Sequence, residues 1–159
     1  MLKAIFSLLV FTCLNQVSAQ TLPSWRATDM SNYIQDSSRA KVKVVSMWAT
    51  FCKPCIAEIP GFIKVVEKFG KRVELMLVSV DMKSHYPQKI LDFARAHKFN
   101  TPMAWLNETN ADYFCPMLDK NWSGSIPATL IVNASTGYRK FFEEEMSSDE
   151  LEKEIKSAF

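Results

Sequence analysis

Val42-Lys43-Val44-Val45-Ser46-Met47-Trp48-Ala49-Thr50-Phe51-Cys52-Lys53-Pro54-Cys55 decides how this chain is read. Residues 42–49 are mostly apolar, rich in β-branched side chains and free of turn residues, which predicts a buried strand. From Pro54 to Phe69 the apolar positions Ile56, Ile59, Ile63, Val66 and Phe69 recur every three or four residues, the spacing of an amphipathic helix. Pro60 falls inside it and predicts a kink, and Gly70 is a natural stop. Two cysteines with two residues between them thus sit where a buried strand hands over to a helix. The unpaired N–H groups and positive dipole end of that helix stabilise a thiolate on the first cysteine, so the pair reads as a redox-active dithiol.

The rest of the chain is organised around that junction. Residues 20–40 are polar and mixed and read as an arm leading into the core, with a short helix near Asp29–Gln35. Val73–Val80 is a second buried strand ending at Asp81. Pro87–His97 is a helix with Ile90, Phe93, Ala94 and His97 on one face. Met103–Leu106 is a short strand and Asn110–Lys120 a short helix or irregular segment. Ala128–Val132 and Tyr138–Phe142 form a hairpin across the turn 133–137, and Ser147–Ala158 is a closing helix that Ser148 can cap. The order β-α-β-α-β-α-β-β-α predicts an α/β fold with a central sheet, made mixed by the hairpin, and helices on both faces.

Size and charge narrow the function. With 159 residues and 48% hydrophobic content the chain suits one domain with one core. Its 19 basic and 17 acidic residues nearly cancel, and no basic stretch carries interleaved aromatics, so nucleic acid is not an expected partner. Met1-Leu2-Lys3, the apolar run Ala4–Leu14 and Val17-Ser18-Ala19 have the layout of a secretory signal peptide cleaved after Ala19, leaving a domain at 20–159. Lipoprotein anchoring through Cys13 is the competing processing route, and Thr12 before it is a poor fit. Export into a bacterial periplasm is the expectation.

After such cleavage Cys52, Cys55 and Cys115 remain, an odd set that suits one close pair plus a single thiol. Zinc needs about four ligands, which three cysteines and the distant His85 and His97 do not supply, so no metal and no other cofactor is expected. The two histidines read as a loop residue and a helix-face residue. Cys115, before Pro116, reads as a small buried hydrophobe, with an extra redox or bridging role as the other reading.

At Trp48-Ala49-Thr50-Phe51-Cys52-Lys53-Pro54-Cys55 the chain resembles the thioredoxin superfamily. Ile56-Ala57-Glu58-Ile59-Pro60 narrows the resemblance to the periplasmic thiol-disulfide reductases of the TlpA/ResA type. Ser125-Ile126-Pro127-Ala128-Thr129-Leu130-Ile131-Val132 extends it, since that family opens a strand with a cis-proline there. The resemblance implies a thioredoxin fold with an extra helix and strand inserted centrally, and dithiol-disulfide exchange as the activity. Cys52, exposed at the helix start, would attack a substrate disulfide, and the more buried Cys55 would resolve the mixed disulfide. Lys53 adds positive charge nearby and Pro54 pre-sets the backbone.

Spacing alone makes Glu58 a solvated helix-surface residue. The resemblance instead puts its carboxyl near the thiols, where a raised pKa would let it take the proton Cys55 must lose. A cis Pro127 would expose the Ile126 backbone for pairing with a substrate strand; a trans proline at a strand start is the ordinary alternative. Trp48 reads either as part of the groove or as a core aromatic. Phe51 stands where tryptophan or tyrosine is frequent and keeps the flat apolar surface. The implied partners are protein disulfides, apocytochrome c among them, and a membrane thiol reductant as electron donor. An oxidase or isomerase, or a non-enzymatic binding or chaperone module, are the competing functions.

Overall fold

The computed structural model describes residues 21–38 and 41–159; the predicted signal peptide, its cleavage site and Cys13 lie outside the described residues. Six strands form one sheet: β1 (Ser24–Trp25), β2 (Val42–Trp48), β3 (Val73–Ser79), β4 (Met103–Leu106), β5 (Ala128–Asn133) and β6 (Tyr138–Phe142). Their order across the sheet is β1-β4-β3-β2-β5-β6. The first four are parallel neighbours, whereas β5 runs antiparallel to β2 and β6 antiparallel to β5. The sheet is therefore mixed, as the hairpin predicts. Among the described residues five α-helices accompany it: α1 (Ala27–Gln35), α2 (Lys53–Glu67), α3 (Gln88–Ala96), α4 (Ala111–Leu118) and α5 (Ser148–Ser157). Among the described residues no helix is long and apolar enough to cross a membrane.

Strand alternation sorts the apolar side chains onto two faces. Val44, Leu75, Leu77, Trp105 and Ile131 face Ile59 and Phe62 of α2, Ile90 of α3 and Leu151 of α5. Val45, Met47, Met76, Val78 and Leu130 face Met30 and Ile34 of α1 and Leu118 of α4. Helices thus cover both faces, and the central strands β2 and β3 are buried on each, which explains their nearly unbroken apolar runs.

Two local results go beyond the sequence reading. Residues 21–38, within the segment read as an arm, do more than lead into the core: Ser24 and Trp25 pair with Trp105 and Leu106 as an edge strand, and α1 supplies one face of a core. Lys43, in the middle of β2, is buried because its ammonium donates to the carbonyls of Tyr33 and Asp36 at the end of α1. A cation placed there also complements the negative end of the helix dipole. Pro60 sits within α2, as the sequence places it, and the helix runs from Lys53 to Glu67.

Candidate active site

β2 and β3 are parallel, and both deliver their carboxyl ends to the same edge of the sheet. The segment 49–52 leaves β2 at that edge and Asp81 follows β3 there, the position where open α/β sheets gather functional groups. In β5, Ala128 lies opposite Met47. Continuing that register, Pro127 falls level with Trp48, the last residue of β2, and Ile126 passes the end of the strand at the same edge.

Cys52 is the N-cap of α2, with Lys53 and Pro54 as its first two helical residues. Lys53 is exposed, and Pro54 fits a place where no N–H is needed. Cys52 and Cys55 form a disulfide, their Cα atoms 5.3 Å apart. The Cys55 N–H donates to Cys52 Sγ at 3.3 Å, so the helix terminus solvates that sulfur directly. Cys55 is fully buried and Cys52 keeps 7% exposure. The order of accessibility is the one expected, although Cys52 is more enclosed than an exposed residue. Phe51, one residue earlier, stands out of the surface at 63% exposure, as does Met82 beyond Asp81 at 63%.

Glu58 lies one turn past Cys55 and is half-buried. Its Oε2 accepts from the Met146 N–H at 3.1 Å, while Oε1 is buried without a partner among the described residues. Burial pushes the carboxyl up to about 7; the Met146 N–H opposes that shift and neighbouring Glu145 adds to it. This is the carboxyl chemistry of a group able to hold or give up a proton near neutrality.

The Ile126–Pro127 peptide is cis. Ile126 is half-buried and Pro127 buried. The loop before it is fixed by Glu143, whose carboxylate accepts from the N–H groups of Ser123 and Ser125, both at 3.0 Å, and from the Ser123 hydroxyl. A second cis bond, Tyr86–Pro87, was not anticipated. Trp48 has no exposed surface; its ring packs 5.5 Å from Phe99 and 6.1 Å from Phe93, centroid to centroid. Of its two readings the core aromatic is the one observed. Cys115 is buried in the cluster on the other face of the sheet from Cys52 and Cys55, and burial raises its thiol pKa.

A group of polar residues beside the cysteines was not foreseen. The Asp81 side chain is wholly buried, and it accepts from the Thr50 N–H at 3.0 Å, the Thr50 hydroxyl at 2.6 Å and the Ser79 hydroxyl at 2.9 Å. His85 Nδ1 lies 3.1 Å from Asp81 Oδ1. An ionised carboxylate only accepts, so Nδ1 must carry the hydrogen for that contact. An acid at the end of a buried strand was the available signal for this group.

Comparison with known proteins fits this construction. Thioredoxin-like protein YneN of Bacillus subtilis (strain 168) is 27% identical over 81 residues, covering 50% of this chain and 47% of that protein, so the match spans about half of the relative. The structure of a thioredoxin-related protein from Neisseria meningitidis serogroup B superposes with a TM-score of 0.65 at 25% identity, over 77% of this chain and 87% of that one. A secreted disulfide oxidoreductase of Mycobacterium tuberculosis, homologous to E. coli DsbE, gives a TM-score of 0.56 at 19% identity, over 74% and 81%. The fold is the thioredoxin fold, as the resemblance implied. Residues 16–137 match the AhpC/TSA family, and the chain belongs to that family.

Proposed function

We propose that the protein is an exported thiol-disulfide oxidoreductase of the TlpA/ResA type that reduces disulfides in other proteins through Cys52 and Cys55. The observation that carries this reading is the placement of Cys52 Sγ at the first turn of α2, accepting the Cys55 N–H at 3.3 Å and bonded to Cys55. The same peptide groups that meet the sulfur in the disulfide favour its anion in the dithiol.

In the reduced protein the Cys52 thiolate attacks one sulfur of a substrate disulfide, forming a mixed disulfide and releasing the other substrate sulfur as a thiolate. Cys55 gives its proton to Glu58 and attacks Cys52 Sγ. The second substrate sulfur leaves as a thiolate, and the Cys52–Cys55 disulfide remains. Two electrons have passed from the protein's sulfurs to the substrate. Phe51 and the backbone at Ile126, beside Pro127, form the surface a substrate strand meets, and Lys53 adds positive charge at the rim. Trp48, buried behind the site, supports that end of β2 from within.

Signal-peptide layout in residues 1–19 supports export, in keeping with the likeness to a protein described as secreted. A reductase in an oxidising compartment needs an electron supply, and a membrane thiol reductant is the donor proposed. Protein disulfides, apocytochrome c among them, are the substrates proposed. The test uses the prereduced full domain with insulin and the Cys55→Ala variant in cells. Insulin reduction, together with substrate proteins held on Cys52, is the expected result. No reduction and no captured protein would leave only a binding module; insulin left intact by the prereduced domain, while its Cys52–Cys55 disulfide form oxidises substrate dithiols and becomes the dithiol, would make it an oxidase.

A further inference from the structure

Asp81 is more tightly tied than any other acid near the cysteines. Its own backbone is fixed first: the Asp81 carbonyl accepts from Trp105 Nε1 at 2.8 Å, and its N–H donates to Ser79 Oγ at 3.1 Å. Trp105 is itself a core residue, stacked on Tyr86 with ring centroids 4.3 Å apart. The carboxylate is thus an immobile acceptor at the end of β3.

That acceptor grips Thr50 twice, through the N–H at 3.0 Å and the hydroxyl at 2.6 Å. Thr50 sits inside the turn closed by the Cys52 N–H and the Ala49 carbonyl, at 3.0 Å. The turn is what sets Cys52 Sγ against the first N–H groups of α2. His85, whose side chain keeps 24% exposure, covers the remaining side of the carboxylate at 3.1 Å and lies 3.5 Å from the Thr50 hydroxyl. A charge-assisted hydrogen bond inside protein is worth roughly twice a neutral one, and a buried carboxylate with four donors has no better place to go.

We propose that Asp81 is a positioning residue for the redox pair: through Thr50 it holds Cys52 within bonding reach of Cys55 and so favours the disulfide over the dithiol. The proposal rests on the thiol-disulfide reading above and deepens it. Ring closure between two thiols depends on how often they meet, and a turn pinned by two hydrogen bonds keeps them together without further ordering. Releasing the turn widens the positions open to Cys52 only in the dithiol, because the disulfide fixes it by itself.

The measurement is the equilibrium with glutathione: the Cys52–Cys55 disulfide and two glutathione thiols give the dithiol and one glutathione disulfide, two electrons moving from glutathione to the protein. Thr50→Val and Asp81→Asn should each shift this equilibrium toward the dithiol by about tenfold, the worth of one charge-assisted bond. Thr50→Ser, which keeps the N–H and the hydroxyl, should stay at the wild-type value. The Thr50→Val/Asp81→Asn double variant should match the Asp81→Asn single variant, since both remove one interaction. Full additivity would overturn the proposal by showing that Asp81 acts through its field and not through Thr50. Unchanged equilibria in folded single variants would overturn it too. If Asp81→Asn fails to fold, the contrast between Thr50→Val and Thr50→Ser decides alone. A wild-type protein that never equilibrates with glutathione would instead sink the thiol-disulfide reading beneath it.

Discussion

Glu58 and Met146 join the active-site helix to the far end of the chain: the Met146 N–H donates to Glu58 Oε2 at 3.1 Å, one residue before the N-cap of α5. The contact holds a carboxyl in an enclosed place, and burial carries its pKa to about 7. A folded-state value above the unfolded one means the native protein binds the extra proton. Stability from this group is therefore complete below the ordinary carboxyl range and is lost as pH rises through about 7. The oxidised wild type should lose thermal stability relative to Glu58→Gln across that interval and then level off. Melting curves of both proteins from about pH 4 to about pH 9 check the crossing. A constant gap would mean that the carboxyl titrates as it does in water. In turnover, Glu58→Gln should slow release of the mixed disulfide by roughly tenfold or more, while capture by Cys52 is unaltered.

Glu143 makes the complementary contact on the other side of the site. Burial works against its charge, but the donors of Ser123 and Ser125 outweigh that and hold the carboxyl below its ordinary value. Here the sign reverses: the stabilisation is present above the ordinary carboxyl range and disappears as pH falls through the depressed value. Glu143→Ala should leave the Ser123 and Ser125 N–H groups without their acceptor and speed their hydrogen exchange by about tenfold. Exchange followed residue by residue reads the effect directly, and wild-type protection should fade on acidification in the same two amides.

Phe51 projects from the surface at 63% exposure, so its ring contributes little to folding. Phe51→Ala should leave the unfolding free energy within the spread of ordinary surface changes, about 0.5 kcal/mol. It should raise KM for a protein disulfide several-fold while reaction with a small aromatic disulfide is unchanged. Parallel kinetics on insulin and on the small disulfide separate contact with a polypeptide from sulfur reactivity. Equal losses on both would assign Phe51 to shaping the thiol instead.

Lys43→Met keeps the length of the side chain and removes the ammonium that Tyr33 and Asp36 carbonyls share. One of those acceptors lies in the interior, so the variant should lose about 1–3 kcal/mol. Urea unfolding gives the number. The redox equilibrium should not move, because α1 packs on the sheet face opposite α2.

What could be read in advance follows from how far apart in sequence the partners lie. The strand at 42–48, the helix after it and the hairpin 128–142 are specified by local pattern, and their observed limits fall within a few residues of expectation. Cys52 and Cys55 were legible because their chemistry depends on three residues of spacing. β1 was not, since two residues carry no periodicity and the strand exists only by pairing with Trp105 and Leu106. Asp81 with Thr50, and Glu143 with Ser123, were equally hidden: each bond spans a chain separation that no repeat announces. The buried Lys43 looks like a polar interruption in the sequence, and only the end of α1 above it explains why the interruption is tolerated.

The antiparallel insertion of β5 beside β2 has a consequence for a chain still being made. Both sulfurs leave the ribosome well before residue 128, and the strand that will flank them does not yet exist. Until β5 arrives, Ser46 and Met47 lack the neighbours Thr129 and Ala128 that complete the sheet behind the sulfurs, so the enclosure of a local cysteine pair is a long-range product of the fold.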